Sequence, residues 1–282
     1  MTTDDAPKPF APDGLYLPQI KRHSLEKITL HNRYAAIFSK AMAKQWKQRA
    51  YIGLFAGAGA AELVETGDTV ETSALAVQQQ PVPFTHCVYV DCNPLCIAAL
   101  RARVGRSQSS TISSFIEADV NACAPEVLRA LPPYGPDAGL LSFCFVDPFD
   151  LQLQFSTVRA LSRLRIDFLV LLMVGTDGRR NFHNYLRDPS SSRIETLLDS
   201  PDWRREYQQL PGKKNALRFL LDRFDQKMIS LGYLSAREDV HPVCAAGTKV
   251  LLYMMAFYSK SELGRRFWRE SRRTVSAQLD LL

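Results

Sequence analysis

The segment YIGLFAGAGAAEL, Tyr51 to Leu63, decides the fold. An apolar run of strand length passes without a break into Gly57-Ala58-Gly59. Glycine lets a backbone turn tightly and come close to a ligand, and ligands in open α/β sheets sit beyond the carboxyl ends of the strands. A Gly-x-Gly alone serves equally well as a tight turn with no ligand, so its meaning depends on what surrounds it.

Upstream, His23 to Gln48 carries apolar residues at Leu25, Ile28, Leu30, Tyr34, Ile37, Phe38 and Met42, spacing that predicts an amphipathic helix. Downstream, short apolar runs alternate with helical segments. Strands are expected at Ala50 to Phe55, Cys87 to Asp91, Phe115 to Asp119, Leu141 to Asp147 and Asp167 to Val174. Helices are expected near Ser73 to Gln79, Asn93 to Val104, Pro125 to Leu131 and Ser156 to Leu164. Asn93 followed by Pro94 is a helix start, Ser156 can cap the next helix, and Ser192 with Glu195 has capping-box spacing. Loops are expected at Val64 to Thr72, Gly105 to Ser114 and Pro132 to Ala138. The chain turns basic and helical from Arg179 to Tyr233, then offers two strand candidates, Ala236 to Val243 and Thr248 to Ser259.

Such alternation marks βαβ units and a parallel sheet buried on both faces. Five parallel strands with a terminal antiparallel pair and added helices predict an α/β, Rossmann-like fold of the S-adenosylmethionine-methyltransferase type. Residues 1–20, rich in acids and prolines, read as a flexible N-terminal arm without the basic start and apolar stretch of a secretory signal. Residues 21–282 read as one domain with a helical insertion at about 179–233.

No apolar run reaches the roughly 18 to 20 residues that span a bilayer, so no membrane partner is expected. The six cysteines are scattered and lack zinc spacing, as do the five histidines, which points to reduced thiols in a cytoplasmic protein and to no metal. Thirty-five Lys and Arg against 29 Asp and Glu give a net charge of +6, which permits a nucleic-acid partner without requiring one.

Asp91 closes the second strand in VYVDCN. A carboxylate there can accept both ribose hydroxyls of a nucleoside cofactor in a fork, and a helix-capping acid is the alternative. The third strand ends FIEADV, which places Asp119 to face an adenine amino group, with Glu117 two positions earlier on the same face. Phe55, Gly57, Gly59, Asp91 and Asp119 are therefore the candidate cofactor residues, and S-adenosylmethionine is the expected cofactor. The fourth strand ends FCFVDPFD, which places Asp147-Pro148-Phe149 beside the same pocket. A polar residue there can accept a hydrogen bond from an attacking nitrogen while the aromatic ring stacks on a planar target, and transfer then needs mostly alignment. These three are the catalytic candidates; a strand-ending turn is the alternative.

The runs FVDPFDLQLQFSTVRAL from Phe145, IDFLVLLMVGTDGRRNF from Ile166, YIGLFAGAGA from Tyr51 and LLYMMAFYSKSELGRRFWRE from Leu251 resemble the three-Cys-motif partner family (TcmP) over roughly Leu25 to Glu270. The resemblance implies a methyltransferase-like fold in a bacterial or phage protein, encoded beside a radical-S-adenosylmethionine-like partner bearing three cysteines. Two positions depart from the family. Gly53 stands where an acid is usual in the first motif, a carboxylate that helps hold the cofactor's methionine end, and Asp150 stands where Gly usually follows. Glu62 or Glu65 is the expected substitute for that acid. LFAGAGA is also similar to the first motif of cytosine-5 DNA methyltransferases, but those need a Pro-Cys nucleophile and no Pro-Cys pair occurs here.

Arg179 and Arg180 in GTDGRRNF are the candidates for gripping substrate phosphate. The closing SKSELGRRFWRESRR predicts a basic helix whose Phe267 and Trp268 either stack bases or dock the helix on the core. The leading expectation is N-methylation of a nucleobase in nucleic acid. Its rival is a catalytically silent partner protein that keeps the fold, favoured by Gly53. With no P-loop lysine and no full GxGxxG, a nucleotide hydrolase or reductase ranks last.

Overall fold

A computed structural model describes residues 10–134, 139–212 and 215–279, without the side chains of Arg179 and of 274–279. Residues 1–9 of the expected arm, 135–138 of the expected Pro132 to Ala138 loop, and 280–282 lie outside the described residues. In chain order, β1 (Gln19–Ile20) precedes α1 (Ser24–Met42) and β2 (Gln48–Leu54). A hairpin of β3 (Ala60–Leu63) and β4 (Thr69–Glu71) follows, then α2 (Ser73–Ala76) with a 3-10 turn at Val77–Gln79. The alternating part runs β5 (His86–Asp91), α3 (Pro94–Gly105), β6 (Ile112–Glu117), α4 (Ala124–Ala130), β7 (Leu140–Val146), α5 (Phe155–Leu161) and β8 (Ile166–Leu172). A π-helical turn at Val174–Gly178 opens onto α6 (Arg179–Arg187), α7 (Arg193–Leu198), α8 (Trp203–Gln208) and α9 (Ala216–Ser230). The chain closes with β9 (His241–Cys244), β10 (Leu251–Tyr258) and α10 (Glu262–Leu279).

The main sheet has seven strands in the order β6-β5-β2-β7-β8-β10-β9. Strands β6 through β8 pair in parallel, and β10 runs antiparallel to both β8 and β9. This is the Rossmann-like arrangement expected from the sequence, with its terminal antiparallel pair. The chain winds from β2 outward to β6 and then returns to place β7 on the other side of β2. The switch in direction therefore falls between the carboxyl ends of β2 and β7, where a doubly wound sheet leaves its ligand crevice.

Both faces of the sheet are covered, because alternate residues of each strand feed opposite cores. Ala50, Ile52 and Leu54 of β2, with Phe168, Val170 and Leu172 of β8, pack under α4, α5, α7 and α9. Tyr51 of β2, Phe143 and Phe145 of β7, and Leu169 and Leu171 of β8 pack against residues of α1 and α10 on the other side.

Several boundaries differ from the sequence expectation. The helix from His23 stops at Met42, where the amides of Gln45 and Trp46 turn back onto the Met42 carbonyl and leave Gln48 to start β2. The expected Val64 to Thr72 loop contains β4, closed against β3 by a turn with Gly67 at φ +74°. β6 begins at Ile112 and stops at Glu117, two residues before Asp119. As the edge strand it tolerates Ser113 and Ser114, and Ser113 Oγ accepts a hydrogen bond from Gln78 Nε2 at 2.9 Å. α5 starts at Phe155 with Gln154 as its cap residue, so Ser156 lies inside the helix, and Ser192 precedes α7 without a side-chain cap bond. The Asn93 cap holds: its side chain accepts from the Leu95 amide at 3.0 Å, with Pro94 at the first helical position. The Ala236 to Val243 candidate shortens to β9 because Asp239 turns inward to Arg265 and Arg269 of α10.

Asp167 fastens α1 to the sheet, since the fully buried Tyr34 donates its hydroxyl to Asp167 Oδ2 at 2.7 Å. Burial raises the Asp167 carboxyl to about 6, partly offset by hydrogen bonds from Ser259 and Tyr34. In the unfolded chain this acid loses its proton near 3.8. Between about pH 4 and pH 6 the folded state therefore keeps a proton that the unfolded state has released, and this group's contribution to stability declines as pH rises through that window. We expect Asp167→Asn to remove that decline. In urea melts at pH 4.5 and pH 7, its stability relative to wild type should improve by on the order of 2 kcal/mol at the higher pH; an unchanged difference would contradict the assignment.

Candidate functional site

The end of β2 is held in a conformation that few side chains tolerate. Phe55 has φ +60°, Gly57 +68° and Gly59 +81°. A left-handed phenylalanine costs about 1 to 2 kcal/mol and persists only where its surroundings fix it. The fixing groups are the neighbouring strand and its terminal acid. The Ala56 amide donates to the Val90 carbonyl at 2.9 Å, and the Gly57 amide donates to Asp91 Oδ2 at 2.8 Å. Asp91 Oδ1 accepts from the Asn93 amide at 2.9 Å. Each oxygen of Asp91 thus holds one backbone N–H and keeps lone pairs for further donors. Behind the turn, Arg103 of α3 donates to the carbonyls of Ala58 at 2.6 Å and Tyr16 at 2.9 Å.

Beyond the turn lies a cavity of about 580 Å³, within the roughly 300 to 1,000 Å³ of cofactor sites. Its floor is the Phe55 to Ala58 turn, with Asp91, Cys92 and Cys96 on one side and Asp147, Pro148 and Phe149 on the other. The segment before α1 covers it with Tyr16, Pro18, Gln19 and Ile20, and Lys27 of α1 and Tyr253 of β10 close the far wall. The Asp147 amide donates to the Leu54 carbonyl at 3.2 Å, so the tips of β2 and β7 meet at the switch point. Lys27 Nζ donates to both Asp147 oxygens, at 2.7 and 2.6 Å, with the two side chains only 19% and 20% exposed. The Lys27 ammonium also lies 6.0 Å from the centre of the Tyr253 ring. Phe149 stands 87% exposed at the rim.

Of the candidate residues, Phe55, Gly57, Asp91, Asp147, Pro148 and Phe149 line this one cavity. Gly59 sits behind the turn; a Cβ there would come within 2.8 Å of Leu100 Cδ1 and 3.4 Å of Leu75 Cβ. Asp119 is not in the lining. It is exposed past the end of β6, and its Oδ1 accepts from the Asn121 amide at 2.8 Å. Arg180 is exposed on α6 and also outside the lining, and the side chain of Arg179 lies outside the described residues. Glu62 and Glu65 do not replace the missing acid. Glu62 accepts from Gln19 Nε2 and Glu65 from the Arg22 amide, both away from the cavity. At Gly53 a Cβ would lie 3.2 Å from the Tyr51 ring and 3.4 Å from that of Tyr89, so two phenol rings fill the space an acid would need.

Nothing in the sequence marks Lys27, Tyr16 or Tyr253 as cavity residues, yet all three line it. Lys27 reads as one more polar-face lysine of an amphipathic helix, and only the fold brings it to Asp147, 120 residues away. The closing helix takes the docked alternative. Trp268 is fully buried, donates to the Asp239 carbonyl at 2.7 Å and stacks on Phe257, while Arg265 and Arg269 pair with Asp239. Among the described residues no cluster of three or more His, Cys, Asp or Glu could hold a metal, and no helix is long and apolar enough to cross a membrane.

No protein-family model and no curated protein matches the chain. Solved structures similar to it include a duf574 family protein from Streptomyces avermitilis, with 15% identity over 85% of this chain and 83% of the other, at TM-score 0.45. M. jannaschii TYW2 in complex with AdoMet matches at 11% identity over 85% and 77%, TM-score 0.41. The O-methyltransferase TomG from Streptomyces achromogenes in complex with SAM matches at 13% identity over 85% and 90%, TM-score 0.40. These likenesses concern the fold, which the strand order carries on its own.

The two glycines of the turn should separate on mutation. Gly57→Ala meets no atom within 4 Å, so its cost is the left-handed backbone alone, about 1 kcal/mol. Gly59→Ala adds the collision with Leu100 and should cost about 3 kcal/mol. Thermal denaturation of both variants checks the order; equal losses would contradict it.

Proposed function

We propose that the cavity binds S-adenosylmethionine and that the chain transfers its methyl group to a nitrogen of a nucleobase in nucleic acid. The observation that carries this reading is the convergence on one cavity of the left-handed glycine turn, Asp91, and Asp147-Pro148-Phe149, at the topological switch of the sheet. The residues present suit such a cofactor: Asp91 keeps lone pairs for ribose hydroxyls, and the cavity has the size of a nucleoside site. S-adenosylmethionine supplies a methyl group on a sulfonium, which needs an aligned acceptor more than acid-base help. Asp147 accepts a hydrogen bond from the acceptor nitrogen and fixes its lone pair toward the methyl. Phe149, exposed at the rim, stacks on a planar base, and the +6 charge with Arg179 and Arg180 supplies phosphate attraction.

A second reading is a catalytically silent member of the three-Cys-motif partner family that binds a radical-S-adenosylmethionine-like protein. Gly53, its space filled by Tyr51 and Tyr89, favours it. Titration calorimetry of the purified protein with S-adenosylhomocysteine, repeated on Asp91→Ala, tests the cofactor site. We expect micromolar binding in the wild type and at least about a tenfold loss in the variant, the worth of a charge-assisted hydrogen bond. Asp147→Ala should still bind the nucleoside yet transfer no tritiated methyl group to cellular nucleic acid. Absence of nucleoside binding, with recovery of a three-cysteine protein in a pull-down, would replace the first reading by the second.

A further inference from the structure

The Lys27–Asp147 pair is an obstacle as it stands. Lys27 donates to both oxygens of the carboxylate that the proposed reaction needs for its acceptor nitrogen. Both side chains are about four-fifths buried in the wall of an otherwise largely apolar cavity, where an unpaired charge is costly. The pair can therefore open only if each member finds another partner. Among the charged residues lining the cavity, Asp91 already holds the Gly57 and Asn93 amides, and Lys21 is exposed, whereas Lys27 reaches the interior from the first turn of α1 on a flexible four-carbon stem. No acid stands at Gly53.

We propose that Lys27 is the binding residue for the α-carboxylate of the cofactor's amino-acid end. On cofactor binding its ammonium exchanges Asp147 for that carboxylate and leaves Asp147 free for the acceptor nitrogen. Lys27 stays charge-paired through the exchange, Asp147 takes the acceptor nitrogen as its new partner, and binding is therefore ordered, cofactor before acceptor. The inference rests on the cofactor reading above and deepens it by naming what recognises the cofactor's amino-acid end.

The test compares two nucleosides by calorimetry: S-adenosylhomocysteine, and 5′-methylthioadenosine, which lacks the amino-acid end. Wild type should prefer S-adenosylhomocysteine by about ten- to a hundredfold, the worth of one charge-assisted contact. Lys27→Met should bring that preference to within about threefold while 5′-methylthioadenosine binds as before. Asp147→Asn, which frees Lys27 from its competitor, should hold or strengthen S-adenosylhomocysteine binding. A Lys27→Met protein that keeps the wild-type preference, or that loses both ligands equally, overturns the inference. Equal affinity of wild type for the two ligands overturns it while sparing the nucleoside site, and binding of neither overturns the cofactor reading along with it.

Discussion

The site depends on one carboxylate. Asp91 reaches from the end of β5 to the Gly57 amide in the turn after β2, and to the Asn93 amide at the start of α3. It thereby holds a strained loop, with Phe55 and two glycines in left-handed conformation, against the helix that backs it. The side chain held by these two hydrogen bonds also lines the cavity. A group that stabilises the loop and faces the ligand space gives the crevice its shape before any ligand arrives, which is how preorganised sites avoid ordering costs on binding.

The scaffold around Asp91 is rigid because the central strands are buried on both faces. β2 and β7 turn aliphatic residues and Cys144 toward one core and Tyr51, Phe143 and Phe145 toward the other, and β8 feeds both cores in the same alternation. Tyr51 illustrates the economy of this packing. It fills the second core, its ring takes the space beside Gly53, and it also lines the cavity. α1 is fastened to the same sheet at its middle by Tyr34 and Asp167 and presents Lys27 to Asp147 from its first turn. The wall of the cavity opposite the glycine turn is thus part of the core packing.

The fold was legible where local chemistry and tertiary structure agree. The apolar run into Gly57-Ala58-Gly59, the Asn93-Pro94 helix start and the Asp-terminated strands at Asp91 and Asp147 each carry their own local signal, and each stands where the sequence puts it. Asp119 did not: Ser113 and Ser114 look like loop residues, yet an edge strand accepts them, so β6 begins earlier and ends before the acid. The β3–β4 hairpin was hidden because its strands are short and β3 also pairs with β1, a partner more than 40 residues away. Lys27 carried no signal at all, since a lysine's role in a pocket depends on which carboxylate the fold sets opposite it.

The most direct test of the account is a crystal structure of the protein soaked with S-adenosylhomocysteine. The nucleoside is expected in the cavity at the β2–β7 switch, with its ribose hydroxyls on Asp91 and its sulfur turned toward Asp147. Crystals whose cavity stays empty at millimolar ligand, or that bind the nucleoside away from Asp91, would contradict it.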